Sequence, residues 1–347
     1  MMLFIFFSQY SHTSIQFSVS CCDGGRSLSA KATGYNHEFS LDLNVCIISR
    51  AAINSGVLHE GQYGCRKRRA TVDAVAVLMS RTQQAWKKKK VAGTLLMDVQ
   101  AAFNNTSKRL LAARLETLGV EADLVRWTIS FMTGKRVRLV LDGKEGEAHE
   151  VQTGIPQGSP AAPILFITYL SGIFEEVERR CEGVKALSFA DDISWWAEGA
   201  TDEEVAGRLS RVGEVAIEWA ARNGVVFDHD KSEAMLFSRK RRVPTATIKV
   251  GEREIGFNKK ATRWLGIWLD SHLTLKEHQK TMAKKARKAM ARLRRLMGQM
   301  GLTSANCRKV MIACVQAVAL YGSELWWRGE GEPGMVGAEE ELQKMVS

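Results

Sequence analysis

The chain has 347 residues, 45% of them apolar and 25% charged, with a formal net charge of +11; it is long enough for a full core with two or three subdomains and too apolar to be a disordered polymer. Residues 231–310 hold 21 Lys or Arg against 5 Asp or Glu, a net +16, so the rest of the chain sums to −5. One C-terminal region therefore carries the whole positive excess, which suits either a polyanion such as nucleic acid or a solvated helical face.

The seven cysteines (Cys21, Cys22, Cys46, Cys65, Cys181, Cys307, Cys314) are scattered without the paired spacing that zinc needs, and read as reduced thiols of an intracellular, non-secreted protein. The apolar start, Met1 to Phe7, is far too short to span a bilayer and lacks the basic flank of a signal peptide, and no other run approaches transmembrane length. No membrane association is expected.

Residues 1–57 are Ser-rich and weakly patterned, and low order is expected there. Residues 91–99 read as a short buried strand with its one charge, Asp98, near the end. Thr106 or Ser107 then caps a helix running through Leu111, Leu115 and Leu118 to Gly119, and a second helix with Leu124, Val125, Ile129 and Met132 ends at Gly134. A hairpin follows, with Val137, Leu139 and Leu141 before an Asp142-Gly143 turn. The Gly/Pro loop Thr153-Gly154-Ile155-Pro156-Gln157-Gly158-Ser159-Pro160 leads into a helix over residues 161–180.

Next, Ser188-Phe189-Ala190-Asp191-Asp192-Ile193-Ser194-Trp195 places two adjacent carboxylates in a strand-like apolar run. Such a pair is costly to bury unless a positive group sits on it, and a hard divalent cation is the usual candidate. Thr201 and Glu204 predict a capping box for a long helix closed by Gly224, and residues 225–227 with 234–237 supply another strand. The order of elements is α+β, with helices on one side of a mainly antiparallel sheet. In that layout Asp98 and the Asp191-Asp192 hairpin can be neighbours, which would bring three carboxylates to one sheet edge.

Beyond this unit, residues 277–300 form an amphipathic helix. Met282, Ala286, Ala289, Leu293, Leu296 and Met300 share one face, while Lys284, Lys285, Lys288, Arg292 and Arg295 face outward. A further helix is expected over residues 304–321.

Five short motifs then stand in one order: Asp98-Val99-Gln100-Ala101-Ala102-Phe103, residues 154–160, Phe189-Ala190-Asp191-Asp192, Lys231-Ser232-Glu233 and Trp264-Leu265-Gly266-Ile267. Together they resemble reverse transcriptases over residues 58–328, most nearly those of non-LTR retrotransposons of the LINE type. The resemblance implies a right-hand polymerase fold with a ferredoxin-like palm, partial fingers and a helical thumb. Its expected divisions are an atypical segment 1–57, fingers remnant and palm at 58–238, primer-grip hairpin and thumb at 239–328, and a tail at 329–347.

The resemblance also implies roles. Asp98 and Asp191, with the main-chain carbonyl of Val99, would hold two Mg²⁺ ions, Mn²⁺ being a possible substitute, and Asp192 would assist. Phe103 would lie beneath the incoming sugar and obstruct a 2′-hydroxyl; Gln157 and Gly158 would lie against the nucleotide and template base. Lys231 would neutralise or protonate the leaving pyrophosphate, although a solvated surface Lys fits its spacing too. Trp264, Leu265 and Gly266 would grip the primer, although the alternation equally suits a buried strand. The basic helix would cradle the template–primer duplex. Arg66, in Gln62-Tyr63-Gly64-Cys65-Arg66, matches the basic position of a fingers motif.

Two departures stand out. Asn104 takes the place of a second Asp in many relatives, and residues 1–57 offer no counterpart to the preceding triphosphate-contacting segment. The expected partners are an RNA template, a DNA primer and deoxynucleoside triphosphates, with no obligate protein partner, and the expected location is the nucleus or a cytoplasmic ribonucleoprotein, or the mitochondrion. The leading expectation is an RNA-directed DNA polymerase, perceived as a truncated copy. The alternatives are a non-catalytic nucleic-acid-binding remnant and, third, a metal-dependent nuclease or phosphatase.

Overall fold

The computed structural model describes residues 4–11, 14–20, 27–33, 58–100, 102–141, 144–156, 159–240, 244–300 and 303–327. In chain order it has strands β1 (Phe4–Ser11), β2 (Ser14–Ser20) and β3 (Ser27–Thr33), helix α1 (Thr71–Lys87), β4 (Val91–Val99), α2 (Lys108–Thr117) and α3 (Ala122–Phe131). Strands β5 (Lys135–Leu141) and β6 (Lys144–Val151), helix α4 (Ala162–Arg180), β7 (Val184–Phe189), β8 (Asp192–Gly199), α5 (Asp202–Asn223) and β9 (Phe227–Phe237) follow. The C-terminal part contains β10 (Thr247–Val250), β11 (Arg253–Gly256), β12 (Ala261–Trp264), β13 (Ile267–Asp270), α6 (Lys276–Met300) and α7 (Ser304–Met311), the last continuing through a π-turn at Ile312–Gln316.

The antiparallel sheet at the centre has the order β7-β8-β4-β9. Strand β4 is apolar on both faces because both are covered. Leu95, Met97 and Val99 enter one core with α2 to α5, whereas Ala92 and Leu96 enter another with Ala74, Val75 and Leu78 of α1. The same two-residue alternation sends Trp195 to the first core, 5.7 Å from Phe174, and Trp196 to the second, where its Nε1–H donates to Thr82 Oγ1 at 3.1 Å. Helices thus lie on both sides of the sheet, not on one. Helix α1, which precedes β4, covers the second face, and distant Trp264 and Ile267 complete it. Fully burying each such large side chain stabilises the fold by about 1.5–3 kcal/mol.

Several local expectations hold. Ser107 caps α2 by accepting from the Leu110 N–H, Gly119 and Gly134 adopt positive φ after their helices, and Gly224 ends α5 in the left-handed region. Thr201 accepts from Glu204 N–H, but the Glu204 carboxylate accepts from Ala200, one residue before the cap. The Asp142-Gly143 turn and the tail 329–347 lie outside the described residues. A second, five-stranded sheet in the order β1-β2-β3-β5-β6 includes residues 4–11, 14–20 and 27–33, against the low order expected of that segment. Strand β2 alternates Ile15, Phe17 and Val19 with Gln16 and Ser18, and β3 alternates Leu28, Ala30 and Ala32 with Ser29 and Lys31, each run too brief to read unaided.

The C-terminal elements are tied together by Tyr321. Its hydroxyl donates to the carbonyl of Leu265 at 2.8 Å, and its own carbonyl accepts from His278 Nε2 at 2.8 Å. His278 is fully buried, and burial first of all lowers its pKa below the ordinary imidazole value, with Lys285 adding to the effect and the Tyr321 bond opposing it. The unfolded chain therefore takes up a proton that the folded chain refuses. Stability contributed by neutral His278 is intact above the unfolded value of about 6.5 and is lost as pH falls below it. The thermal midpoint is expected to drop between pH 7.5 and 5.5, with a visibly smaller drop in His278→Gln; equal slopes in the two proteins would refute this.

Candidate active site

Asp98 sits one residue from the end of β4, directly opposite Asp228 of β9. Two facing carboxylates would repel, and the chain relieves this with a bulge. The register passes from Leu96↔Glu233 to Asp98↔Asp228, so β9 spends three extra residues against β4. The bulge is closed by Ser232 Oγ–H donating to Asp228 O at 3.1 Å and by Asp230 N–H donating to Asp228 Oδ1 at 3.1 Å. It swings Lys231 back over the pair, 2.9 Å from Asp98 Oδ2 and 3.1 Å from Asp228 Oδ2. These bonds keep the lysine charged, its pKa raised by Asp98 and then Asp228, and hold the Asp228 carboxyl below its usual range. Because the Lys231 side chain is 64% exposed, the ion pairs stabilise by no more than about 1 kcal/mol and are readily exchanged.

Asp191 lies in the tight turn between β7 and β8, after Ala190 at φ 57°. Burial raises the Asp191 carboxyl above its ordinary value; Asp98 adds to this, and Lys231 opposes it. The Asp192 carboxyl is pushed up to about 6, first by burial and then by Asp191 and Asp98, with Arg263 and Lys231 acting against them. Asp192 as a residue is largely exposed. The structure therefore brings Asp98, Asp191 and Asp192 into one electrostatic neighbourhood, as the strand order implied. Among the described residues, no group of three or more His, Cys, Asp or Glu side chains is gathered tightly enough to hold a metal ion by itself. Val99 closes β4 with its side chain in the core.

Phe103 is half-buried, its ring 5.2 Å from that of Phe166. The Gly/Pro loop is bound to this same segment. Gly154 N–H donates to Thr106 O at 2.9 Å and Ile155 N–H to Phe103 O at 2.7 Å, while Lys135 Nζ donates to the carbonyls of Thr153 (2.7 Å) and Gly154. Gln157 and Gly158 lie outside the described residues, but the stem that carries them is thus fixed beside Phe103.

The remaining expected site residues are more dispersed. Arg66 is half-buried and turns one nitrogen back on its own loop, donating to His59 O at 3.1 Å. Leu265 and Gly266 form a two-residue hairpin turn with φ of 47° and 81°. Trp264 is buried, 3% exposed, and packs in the core instead of facing solvent. Lys284, Lys285, Lys288, Arg292 and Arg295 are all exposed on α6, opposite buried Met282, Ala286 and Leu293; the side chains of Leu296 and Met300 lie outside the described residues.

Sequence reasoning missed Asp228, Arg263 and Lys135. Asp228 precedes Lys231 by three residues, but only the bulge shows that it faces Asp98. Among the described residues, no helix is long and apolar enough to cross a membrane.

Residues 41–269 match the family model described as reverse transcriptase (RNA-dependent DNA polymerase). The chain is 26% identical over 275 residues to a probable RNA-directed DNA polymerase from transposon BS of Drosophila melanogaster, covering 78% of this chain and 30% of that protein. It is 23% identical over 264 residues to the RNA-directed DNA polymerase from mobile element jockey of Drosophila funebris, covering 75% and 28%. The chain thus spans under a third of the length of these relatives. Among solved structures, apo telomerase from Candida tropicalis shares 12% identity with a TM-score of 0.47, covering 88% of this chain and 53% of that one.

Proposed function

The chain belongs to the reverse transcriptase (RNA-dependent DNA polymerase) family, in its non-LTR retroelement branch, and from that premise we propose that it extends a DNA primer on an RNA template from deoxynucleoside triphosphates. The observation that carries the proposal is the register Met97↔Ile193, which sets Asp98 at the end of β4 beside the turn bearing Asp191, where Asp98 adds to the raised pKa of the Asp191 carboxyl. Hard carboxylate oxygens, countered at Asp98 by an exposed and exchangeable Lys231, fit Mg²⁺, with Mn²⁺ as a substitute. Of two such ions held there, one would lower the pKa of the primer 3′-hydroxyl and the other would neutralise the triphosphate.

In this reading Asp98, Asp191 and the Val99 carbonyl hold the cation, and Asp192 keeps the local field negative. Lys231 stays protonated at neutral pH and is placed to neutralise the leaving pyrophosphate once its carboxylate partners are engaged elsewhere. Arg66 offers the triphosphate the guanidinium N–H groups that its loop leaves over. Gln157 and Gly158 lie against the nascent base pair on the stem tied to Phe103. The central sheet is the palm and the hairpin Trp264-Leu265-Gly266 positions the primer. The exposed Lys284, Lys285, Lys288, Arg292 and Arg295 hold the duplex through its phosphates, inside the cell and without an obligate protein partner.

Phe103 selects the sugar in this reading. Phe103→Val is expected to raise ribonucleotide incorporation relative to deoxynucleotides by about tenfold or more, at a stability cost of about 1–2 kcal/mol from lost packing on Phe166. Competition assays with paired triphosphates measure this, and an unchanged ratio would remove Phe103 from the sugar site. The overall proposal is tested by primer extension on a homopolymeric RNA template with Mg²⁺. Salt-dependent duplex binding without any incorporation would leave only the nucleic-acid-binding reading.

A further inference from the structure

The turn that carries Asp191 is held from outside the sheet. The segment His59 to Gly64 runs beside β7: Ser188 N–H donates to Gly61 O at 2.8 Å, Tyr63 N–H donates to Ser188 O at 2.7 Å, and Gln62 pairs with Ser188 as a parallel bridge. The contact leaves no slack. A Cβ added at Gly61 would stand 2.3 Å from Ala186 O, and one at Gly64 would stand 2.4 Å from Ala190 N.

Within this contact the Gln62 side chain is 1% exposed and engages both main-chain groups of Ala190. Its Oε1 accepts from Ala190 N–H at 3.1 Å and from Gly64 N–H at 2.8 Å, and its Nε2 donates to Ala190 O at 3.4 Å. Ala190 is a non-glycine residue at φ 57°, a conformation that costs about 1–2 kcal/mol and persists only where surroundings impose it. The carboxamide carries its acceptor and its donor on separate atoms of one planar group, so it can grip both ends of a peptide unit. Glu can only accept and would add another charge beside Asp191.

We propose that Gln62 is a positioning residue that imposes the left-handed turn at Ala190 and thereby aims Asp191 at Asp98. The fingers-side loop and the acidic turn then form one device, in which the cation site is complete only while the loop is docked. This rests on reading Asp98 and Asp191 as cation ligands.

The test uses the full chain without metal, comparing the parent with Gln62→Met, which keeps length but loses both bonds, and Gln62→Asn, which keeps the amide but falls a methylene short. Amide hydrogen exchange of residues 188–192 reads the clamp, and Mn²⁺ titration followed by electron paramagnetic resonance reads its consequence. In both variants the Ala190 amide is expected to exchange at least tenfold faster and the Mn²⁺ dissociation constant to rise at least tenfold. Far-ultraviolet circular dichroism and duplex binding should stay at parental values, and the Asn variant secures the test if the Met variant does not fold. Unchanged exchange at Ala190, or accelerated exchange with unchanged Mn²⁺ affinity, would overturn the proposal. Failure of the underlying site reading shows separately, as parental Mn²⁺ affinity in Asp191→Asn, and would overturn both.

Discussion

Asp191→Asn is expected to lower primer extension by about 10³-fold, on the order of what the loss of one preorganised charge-stabilising group costs in other enzymes, while leaving duplex binding through α6 intact. The substitution is nearly isosteric, so its effect on folding has a sign that can be worked out. Burial, reinforced by Asp98, raises the Asp191 carboxyl above its ordinary value. Above the unfolded value of about 3.9 the ionised form is therefore less favourable in the folded chain than in the unfolded one. Removing the charge raises the thermal midpoint of the metal-free protein at pH 7 or leaves it unchanged. With Mg²⁺ present the order inverts, because the parent gains binding free energy that the variant cannot. Differential scanning with and without Mg²⁺, beside single-nucleotide extension assays, reads both effects. An Asn variant that extends primers at the parental rate would remove Asp191 from the reaction.

How much of this site is legible in the sequence depends on how local each contact is. Asp98 at a strand end and Asp191-Asp192 in an apolar hairpin declare themselves because charge in such runs is rare and costly. The α6 stripe is legible for a similar reason, since 3.6-residue periodicity over 25 residues leaves little freedom about which face packs. What is hidden depends on register and on long-range docking. The β9 bulge that sets Asp228 and Lys231 against Asp98 has no compositional mark; residues 225–227 with 234–237 read as the strand, and the structure runs it without a break through the polar residues between them. Gln62 is separated from Ala190 by 128 positions, and only its hydrogen bonds to both main-chain groups of Ala190 give the amide a use there. Trp264 illustrates the converse. A motif resemblance places it at the primer, and the fold places its ring in the core, so its influence passes through the turn at Leu265 and Gly266.

Gly154 and Gly119 separate backbone strain from close approach, and the comparison bears on how substrate is positioned. Both have positive φ, 85° and 71°. Alanine at either position costs about 1 kcal/mol for the left-handed conformation. Around Gly119 nothing lies within 4 Å of an added Cβ, whereas at Gly154 it would meet Asn104 O at 2.8 Å and Phe103 O at 2.9 Å. These are main-chain atoms of the segment that carries Phe103, and they cannot swing aside as a flexible side chain would. Gly119→Ala is therefore expected to cost about 1 kcal/mol and to leave extension kinetics unchanged. Gly154→Ala is expected to cost about 3 kcal/mol, the excess being overpacking, and to push the loop stem away from Phe103. A displacement of that size at a reacting centre costs up to about 10²-fold, and it is expected as a rise in KM for the incoming deoxynucleotide with primer affinity preserved. The Ile155–Phe103 and Gly154–Thr106 main-chain bonds make the two segments move together, so sugar selectivity should weaken in Gly154→Ala as it does in Phe103→Val. Equal stability loss in the two alanine variants, or a Gly154→Ala protein with parental KM, would show that the stem does not position the nucleotide.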